Sequence, residues 1–207
     1  MQIKQASFLI SVADSEHILR DGVVEIAIAG KSNVGKSSLI NYICSQSKLA
    51  RTSSEPGRTR LINYFDINKG EFRLVDLPGY GYAKVSKSEQ MKWARLMEDY
   101  FATSEALKHV FVLVDLRHDV GANDKQMIAY LHHYGIPFTV IGTKADKLKR
   151  NEIIKQKKII SSSLAIGEGN IIVASAVARV GKDDIEQRIE QILADDEYID
   201  IDVADEI

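Results

Sequence analysis

Short apolar runs alternate along this chain with segments whose apolar positions recur every three or four residues. The runs have the length of strands and are rich in β-branched residues, which indicates buried strands. The other segments have the spacing of helices with one apolar face, as at Trp93, Met97, Tyr100 and Phe101. Strands that alternate with helices pair in parallel through right-handed crossovers. The pattern therefore predicts an α/β fold: a mostly parallel sheet of six to seven strands, with helices on both faces.

The individual elements follow from this pattern and from the turn signals between them. Predicted strands are Val23–Ala29, Leu61–Ile67, Glu71–Val75, Val110–Val114, Pro137–Ile141 and Ile171–Ala174. Predicted helices run through Leu39–Cys44, over Ser86–Ala102, over Asn123–Tyr134, and along Ile185, Ile189, Ile192 and Leu193. No Pro/Gly/Ser-rich linker divides the chain. We expect one domain over residues 1–194, with a short N-terminal extension, and a flexible acidic tail over residues 195–207.

Composition argues against a membrane-spanning protein and against a disulfide-bonded one. The longest apolar runs, His109–Leu116 and Ile136–Ile141, are far shorter than the roughly 20 residues that a membrane helix needs. The single cysteine, Cys44, rules out an internal disulfide and fits a reducing compartment. We therefore expect a cytoplasmic protein, a monomer, without a membrane partner.

The net charge of −2 hides an uneven distribution of charge. Residues 195–207 hold seven acidic side chains and no basic one, so residues 1–194 carry about +5. The segment Lys144–Lys158 holds seven basic residues against Asp146 and Glu152. Further basic residues are Arg51, Arg58, Arg60, Lys84, Lys87, Lys92 and Arg95. These charges favour salt-dependent binding of RNA, with an ordinary solvated surface as the alternative.

Residues 30–37, GKSNVGKS, match the P-loop pattern GxxxxGK[ST] between a predicted strand and a predicted helix. Gly30 and Gly35 let the backbone turn tightly, so that its N–H groups converge on a β-phosphate. We expect Lys36 to reach the β- and γ-phosphates and Ser37 to offer its hydroxyl to Mg²⁺. The segment is therefore predicted to bind a nucleotide polyphosphate.

A second phosphate motif, Asp76-Leu77-Pro78-Gly79, ends the predicted strand Glu71–Val75. In nucleotide hydrolases that contain a P-loop, an Asp at this place holds Mg²⁺, usually through a water, and the Gly N–H senses the γ-phosphate. Ligands bind at the carboxyl ends of the strands in such sheets. Both phosphate motifs are therefore expected at one edge of the sheet.

The segment Thr143-Lys144-Ala145-Asp146 is the candidate base site. The Asp146 carboxylate would accept hydrogen bonds from guanine N1–H and the exocyclic amine, a donor pair that adenine does not present. The stem of Lys144 would cover the base. Ser175-Ala176-Val177 would offer a backbone N–H to guanine O6. The order of these motifs favours GTP over ATP.

With these motifs the chain resembles the TRAFAC GTPases, and specifically the EngB/YsxC/YihA family of ribosome-biogenesis GTPases. The similar segments are GKSNVGKSSLIN (30–41), ARTSSEPGRT (50–59), DLPGYGYAKVSK (76–87), VDLRHDVGANDKQM (114–127) and TKADKL (143–148). DLPGYGYAKVSK is the most discriminating, because generic GTPases share only its first four residues. The resemblance covers about residues 6–194.

The resemblance implies a switch I loop around Thr52–Leu61, whose Thr59 binds Mg²⁺, and a switch II from Asp76 to about Ser88. It also implies a role in assembly of the large ribosomal subunit or its precursor, and a requirement for normal cell division and septation. We interpret the effect on division as downstream of translation. The expected GTP contacts are Gly30, Lys31, Ser32, Asn33, Val34, Gly35, Lys36, Ser37, Ser38, Gly57, Arg58, Thr59, Arg60, Leu61, Asp76, Leu77, Pro78, Gly79, Thr143, Lys144, Ala145, Asp146, Ser175, Ala176 and Val177. The expected metal ligands are Ser37, Thr59 and, through a water, Asp76. The expected catalytic residues are Lys36, Thr59 and Gly79.

Three positions bear on the reaction. Thr143 replaces the usual Asn and removes an amide that braces the base site. Tyr80 stands where Ras-like enzymes place a glutamine that orients the attacking water. We therefore expect slow hydrolysis without a partner, at about 10⁻⁴ s⁻¹. We expect the side chains of Tyr80 and Tyr82 to pack locally. Related GTPases with Asn at the position of Asn33 bind K⁺ beside the phosphates, which makes K⁺ a second candidate cation.

Three function classes remain open from the sequence. The favoured one is a GTPase that assists ribosome assembly and is stimulated by its partner. The second is a GTP-dependent switch that acts directly on the division machinery. The third is a P-loop kinase or ATPase, against which Asp146 argues because it does not match adenine.

Overall fold

The computed structural model describes residues 1–50, 61–81 and 87–204, with side chains up to residue 196. Its strands are β1 Ala6–Val12, β2 Glu25–Gly30, β3 Ile62–Ile67, β4 Phe72–Asp76, β5 Leu107–Asp115, β6 Phe138–Thr143 and β7 Ile171–Val173. Its helices are α1 Lys36–Ile43, α2 Lys87–Thr103, α3 Ala122–His133, α4 Arg150–Leu164 and α5 Lys182–Ala204. Every strand and helix that the sequence predicts is present, with its ends shifted by a few residues.

The strands form one seven-stranded sheet in the order β1-β3-β4-β2-β5-β6-β7. β1 pairs antiparallel with β3, and β3 pairs antiparallel with β4, whereas all other neighbours are parallel. The carboxyl ends of β2, β4, β5, β6 and β7 therefore lie at the same edge of the sheet. The P-loop, the Asp76–Gly79 motif, the base segment and Ser175 all follow strands that end at this edge.

Helices cover both faces of the sheet, as predicted. Apolar side chains of α1 and α5, among them Ile40 and Ile189, join one buried cluster, which also contains Cys44. Side chains of α2, α3 and α4, among them Tyr100 and Leu131, join the cluster on the opposite face. Burial of these apolar surfaces is the main stabilising contribution to such a layered fold.

Strand β1 lies at an edge of the sheet and has no counterpart among the predicted elements. Only its two ends, Ala6 and Val12, are buried, and the five residues between them are exposed. Because apolar and polar residues do not alternate along β1, its sequence pattern does not distinguish it from a loop. It lengthens the sheet to seven strands, and β3 separates it from β4, the nearest strand that leads into a predicted motif.

Helix α5 continues to Ala204 and so includes most of the segment expected to form a flexible tail. At the start of this segment, the Asp196 carboxylate pairs with the Lys108 amine of β5 at 2.8 Å. The division of the chain at residue 194 stays a prediction. Within the described residues, no helix combines the length and the apolar content that crossing a bilayer requires.

Candidate nucleotide-binding site

The predicted P-loop connects the end of β2 to the beginning of α1. Asn33 and Gly35 adopt positive φ angles of 62° and 109°, and Gly35 caps α1. A side chain at Gly30 would lie only 2.9 Å from Val34 Cγ1. The two glycines are therefore needed, one for close packing and one for the left-handed turn that precedes the helix.

Lys36 and Asp76, the charged residues of the two phosphate motifs, form an ion pair between Nζ and Oδ1. Both side chains are largely buried. Ser37 follows Lys36 in the first turn of α1. The structure thus brings a cation and a carboxylate together at the carboxyl end of the sheet, although they are 40 residues apart in the sequence.

Backbone contacts hold the Asp76–Gly79 motif against the P-loop. Tyr80 N–H donates to the Gly30 carbonyl at 3.3 Å, and Ser32 N–H donates to the Tyr80 carbonyl at 3.1 Å. A Cβ at Gly79 would lie 3.3 Å from both the backbone nitrogen and the Oγ of Ser32. Glycine is the residue that permits this close approach.

The Tyr80 side chain packs locally, as predicted. Its ring is buried, and its hydroxyl donates to Asp124 Oδ1 at 3.0 Å. Burial, together with the adjacent carboxylate of Asp124, raises the pKa of this phenol well above its ordinary value. Tyr80 is therefore a neutral hydrogen-bond donor.

Asp146 lies in a short 3₁₀ helix, Ala145–Lys147, directly after β6. The Ser175 hydroxyl, just beyond β7, donates to Asp146 Oδ1 at 2.6 Å, and Lys147 Nζ lies 3.2 Å from Oδ2. The Ser175 hydrogen bond and then Lys147 lower the pKa of the Asp146 carboxyl. The carboxylate is therefore charged at neutral pH and held in one orientation.

The base segment is attached to the P-loop by two side chains. Thr143 Oγ1 donates to the Val34 carbonyl at 2.8 Å, and Lys144 Nζ donates to the Asn33 carbonyl at 2.7 Å. Lys144 also pairs with Asp115 Oδ2 at 2.9 Å. Thr143 lacks the amide of the usual Asn, and in this structure its hydroxyl makes a bridge to the P-loop in place of that amide.

The remaining predicted GTP contacts lie at the margin of the site or outside the described residues. Gly57, Arg58, Thr59 and Arg60 are outside them, as are Tyr82 and Lys84. Leu61 is described and immediately precedes β3, while Ser38 is exposed on α1. Ala176 and Val177 follow Ser175, and the Val177 side chain is 80% exposed. The part of the site that is described therefore consists of the P-loop, the Asp76–Gly79 motif and the base segment.

Sequence reasoning missed Asp115 and Asp124 as members of this site. Together with Lys31, Ser32 and Lys144 they border a cavity of about 300 Å³ between the P-loop and the loop after β5. Asp115 ends β5 and pairs with Lys144, and Asp124 lies in the first turn of α3. The position of Asp115 at a strand end was the one available signal. Asp124 has one local partner, Gly121, but its contacts with Tyr80 and Lys31 come from distant parts of the chain.

The basic segment forms most of α4, beside the base segment. Lys149, Arg150, Lys155 and Lys158 are exposed and Lys157 is half-buried. Within the described part of the chain, none of these five makes an ion pair, whereas Lys144 and Lys147 pair with Asp115 and Asp146. The helix therefore presents positive charge that is available to a partner.

Comparisons with known proteins agree with the geometry. A profile of the 50S ribosome-binding GTPase family matches residues 25–144. The probable GTP-binding protein EngB of Mycoplasma capricolum subsp. capricolum is 53% identical over 162 residues, which cover 78% of this chain and 83% of that protein. The probable GTP-binding protein EngB of Streptococcus pyogenes serotype M49 is 48% identical over 180 residues, 86% of this chain and 90% of that protein.

Solved structures share the fold. A crystal structure of a probable GTP-binding protein EngB matches with a TM-score of 0.68 and 22% identity, over 83% of this chain and all of that one. Era, crystallised with MgGDPNP and a segment of 16S ribosomal RNA, matches with a TM-score of 0.63 and 22% identity, over 83% of this chain and 56% of that one. The sheet, the P-loop and these similarities lead to one conclusion: the chain is a GTP-binding protein of the 50S ribosome-binding GTPase family and belongs to its EngB members.

Proposed function

We propose that this protein hydrolyses GTP slowly in the cytoplasm and, as a monomer, assists assembly of the large ribosomal subunit. The observation that carries the nucleotide assignment is the Asp146 carboxylate, held by Ser175 and attached through its segment to the P-loop. A fixed, charged acceptor suits the two adjacent donors of guanine and leaves adenine unmatched.

Calorimetric titration of the chain with GTP, GDP and ATP in Mg²⁺ buffer tests this assignment. We expect binding of both guanine nucleotides and affinity for ATP lower by about a hundredfold, because two charge-assisted hydrogen bonds are lost. Asp146→Asn should weaken GDP binding to a similar extent. Asp183→Asn, a change of an exposed carboxylate on α5, is the control. Equal affinity for ATP and GTP would refute the proposal.

The phosphate end of the site suits Mg²⁺. Ser37 and Asp76 are hard oxygen donors, and no group of three or more His, Cys, Asp or Glu side chains among the described residues forms a metal cage. Mg²⁺ commonly keeps waters and shares phosphate oxygens instead of using an all-protein site. When bound, it would supply charge neutralisation at the phosphates. Ser37 and Asp76, with Thr59 as the further proposed ligand, would hold it.

Slow turnover follows from what the described residues offer the reaction. The Lys36 amine and the backbone N–H of Gly79 would position and stabilise the γ-phosphate. The residue after Gly79, Tyr80, is neutral and bonded to Asp124, so it neither orients water nor accepts a proton. A partner surface is therefore proposed to complete the site. Turnover measured with and without large-subunit precursors tests this, and an unchanged rate contradicts it.

K⁺ is the second cation proposed for this site, through Asn33. The positive φ of Asn33 places it at the turn of the P-loop, where its side chain is exposed. Hydrolysis rates in matched K⁺ and Na⁺ buffers decide the point. A rate that is higher in K⁺, and that loses this difference in Asn33→Ala, supports the proposal, whereas equal rates in the wild type refute it.

The charge on α4 supports the ribosomal partner. Basic side chains without ion pairs bind RNA phosphates, and the affinity falls as salt rises. Co-sedimentation with large-subunit particles, measured with GTP or GDP at several salt concentrations, should show GTP-dependent binding. Lys155→Glu combined with Lys158→Glu should abolish it. Lys48→Glu combined with Lys69→Glu, the same change of charge at exposed sites elsewhere, should retain most of it. A division phenotype is then expected to follow a defect in translation.

A further inference from the structure

Ser32 carries a buried hydroxyl that has no hydrogen-bond partner among the described residues. Its backbone N–H is already used, because it donates to the Tyr80 carbonyl at 3.1 Å. A hydroxyl that is removed from water without a partner costs free energy, so native proteins rarely retain one. The P-loop pattern accepts any residue type at this position, and a serine is therefore not required for the turn.

The hydroxyl lies at the γ-phosphate end of the proposed site. It stands beside Gly79, whose Cβ, if present, would be 3.3 Å from Ser32 Oγ. Gly79 is the residue whose N–H is proposed to contact the γ-phosphate, and Lys36 of the same P-loop is proposed to reach the β- and γ-phosphates. A donor beside Gly79 is therefore placed near the part of the nucleotide that distinguishes GTP from GDP.

We propose that the Ser32 hydroxyl donates a hydrogen bond to the γ-phosphate of GTP and so makes the P-loop favour GTP over GDP. The inference rests on the proposed function and deepens it. A phosphate oxygen is only an acceptor, whereas a serine hydroxyl donates as readily as it accepts, so the direction of the bond is determined. Because the acceptor is charged, the bond is stronger than one between neutral groups.

The proposal also predicts that Ser32→Ala affects the melting temperature and the affinity for the triphosphate in different ways. In the nucleotide-free protein, Ser32→Ala removes a polar atom that has no partner, so the variant should melt at the same temperature as the wild type or higher. With the triphosphate bound, the same change removes a charge-assisted bond. A residue with a purely structural role would lower the melting temperature and weaken both nucleotides together.

Calorimetry of the full chain with GDP and with a non-hydrolysable GTP analogue tests the proposal. In Ser32→Ala we expect GDP affinity within twofold of the wild type and affinity for the analogue lower by about tenfold. Ser32→Gly should show the same pattern, and it replaces the alanine variant if that variant does not fold. Ser7→Ala, an exposed serine on β1, is the control.

The outcomes are distinguishable. Equal losses for the two nucleotides in the Ser32 variants, or no loss for the analogue, overturn the role of the hydroxyl while the wild type still binds GTP. Failure of the wild type to bind either nucleotide refutes the proposed function itself.

Discussion

The Tyr80 phenol donates to one oxygen of the Asp124 carboxylate at 3.0 Å, while the other oxygen accepts the Gly121 N–H at 2.9 Å. One buried carboxylate thus joins the segment after Gly79 to the first turn of α3. The Lys31 amine lies 3.7 Å from the same carboxylate and adds the P-loop to the junction. The backbone position of Gly79 is consequently coupled to the position of α3.

Tyr80→Phe tests this junction. The variant keeps the buried ring but leaves one Asp124 oxygen without its donor, so we expect a loss of about 1–3 kcal/mol in the free energy of unfolding. Urea unfolding measures it. Since the phenol donates to Asp124 and not to Lys36, Ser37 or Asp76, hydrolysis without a partner should change by less than about threefold. A collapse of hydrolysis in a well-folded Tyr80→Phe would show that the phenol acts in the reaction.

Thr143→Val tests the bridge between β6 and the P-loop. Valine keeps the shape of threonine but cannot donate to the Val34 carbonyl, which would stay buried with one partner fewer. We expect affinity for GTP and for GDP to fall together by about fivefold, near 1 kcal/mol. Thr143→Ser restores the hydroxyl and should recover most of the affinity. A valine variant that binds like the wild type would mean that the bridge does not position the site.

Ser175→Ala tests the orientation and the charge of Asp146. Loss of the Ser175 hydrogen bond removes the largest influence that lowers the pKa of this carboxyl. The Asp146 pKa should therefore rise, and GDP binding should be lost at a higher pH than in the wild type as the solution is acidified. Titrations of GDP between about pH 3 and pH 5, around and below the ordinary pKa of an aspartate, measure the shift. Coincident pH profiles would contradict the assigned role.

Glu25 predicts a pH dependence of stability at the other end of β2. Its side chain is buried, and Oε2 accepts from the Tyr100 hydroxyl at 2.7 Å and from Ser104 Oγ at 3.0 Å. Burial raises the pKa of this carboxyl from 4.5 to about 7, despite the two donors. The folded chain therefore binds a proton more tightly than the unfolded chain does, and stability falls as pH rises between these values.

Glu25→Gln isolates this effect because the amide oxygen still accepts from Tyr100 and does not titrate. Between pH 5 and pH 8, the free energy of unfolding of the wild type should fall by up to about 3 kcal/mol more than that of the variant. Denaturant unfolding at the two pH values gives the difference. Parallel pH dependences would place the Glu25 pKa near its ordinary value.

Sequence reasoning succeeded where a single segment carries the signal. Buried parallel strands such as β5 are continuous apolar runs, and the P-loop is defined by its own spacing. It failed at β1, whose exposed middle has no alternation. The bridge from Thr143 to Val34 spans 109 positions, and the contact of Tyr80 with Asp124 spans 44. Such pairs arise only when the sheet is assembled, so no local pattern predicts them.

The ion pair between Lys36 and Asp76 has a consequence for how a nucleotide enters. Because Lys36 is already paired with Asp76, binding of a Mg²⁺–phosphate group must separate the two, so that Lys36 can turn to the phosphate and Asp76 to the side of the metal. The new contacts of Lys36 and Asp76 therefore form at the expense of the internal pair between them. The affinity for the nucleotide is therefore the small difference in free energy between the empty and the occupied site, in both of which Lys36 and Asp76 have partners. A small difference favours repeated binding and release of the nucleotide over permanent occupancy.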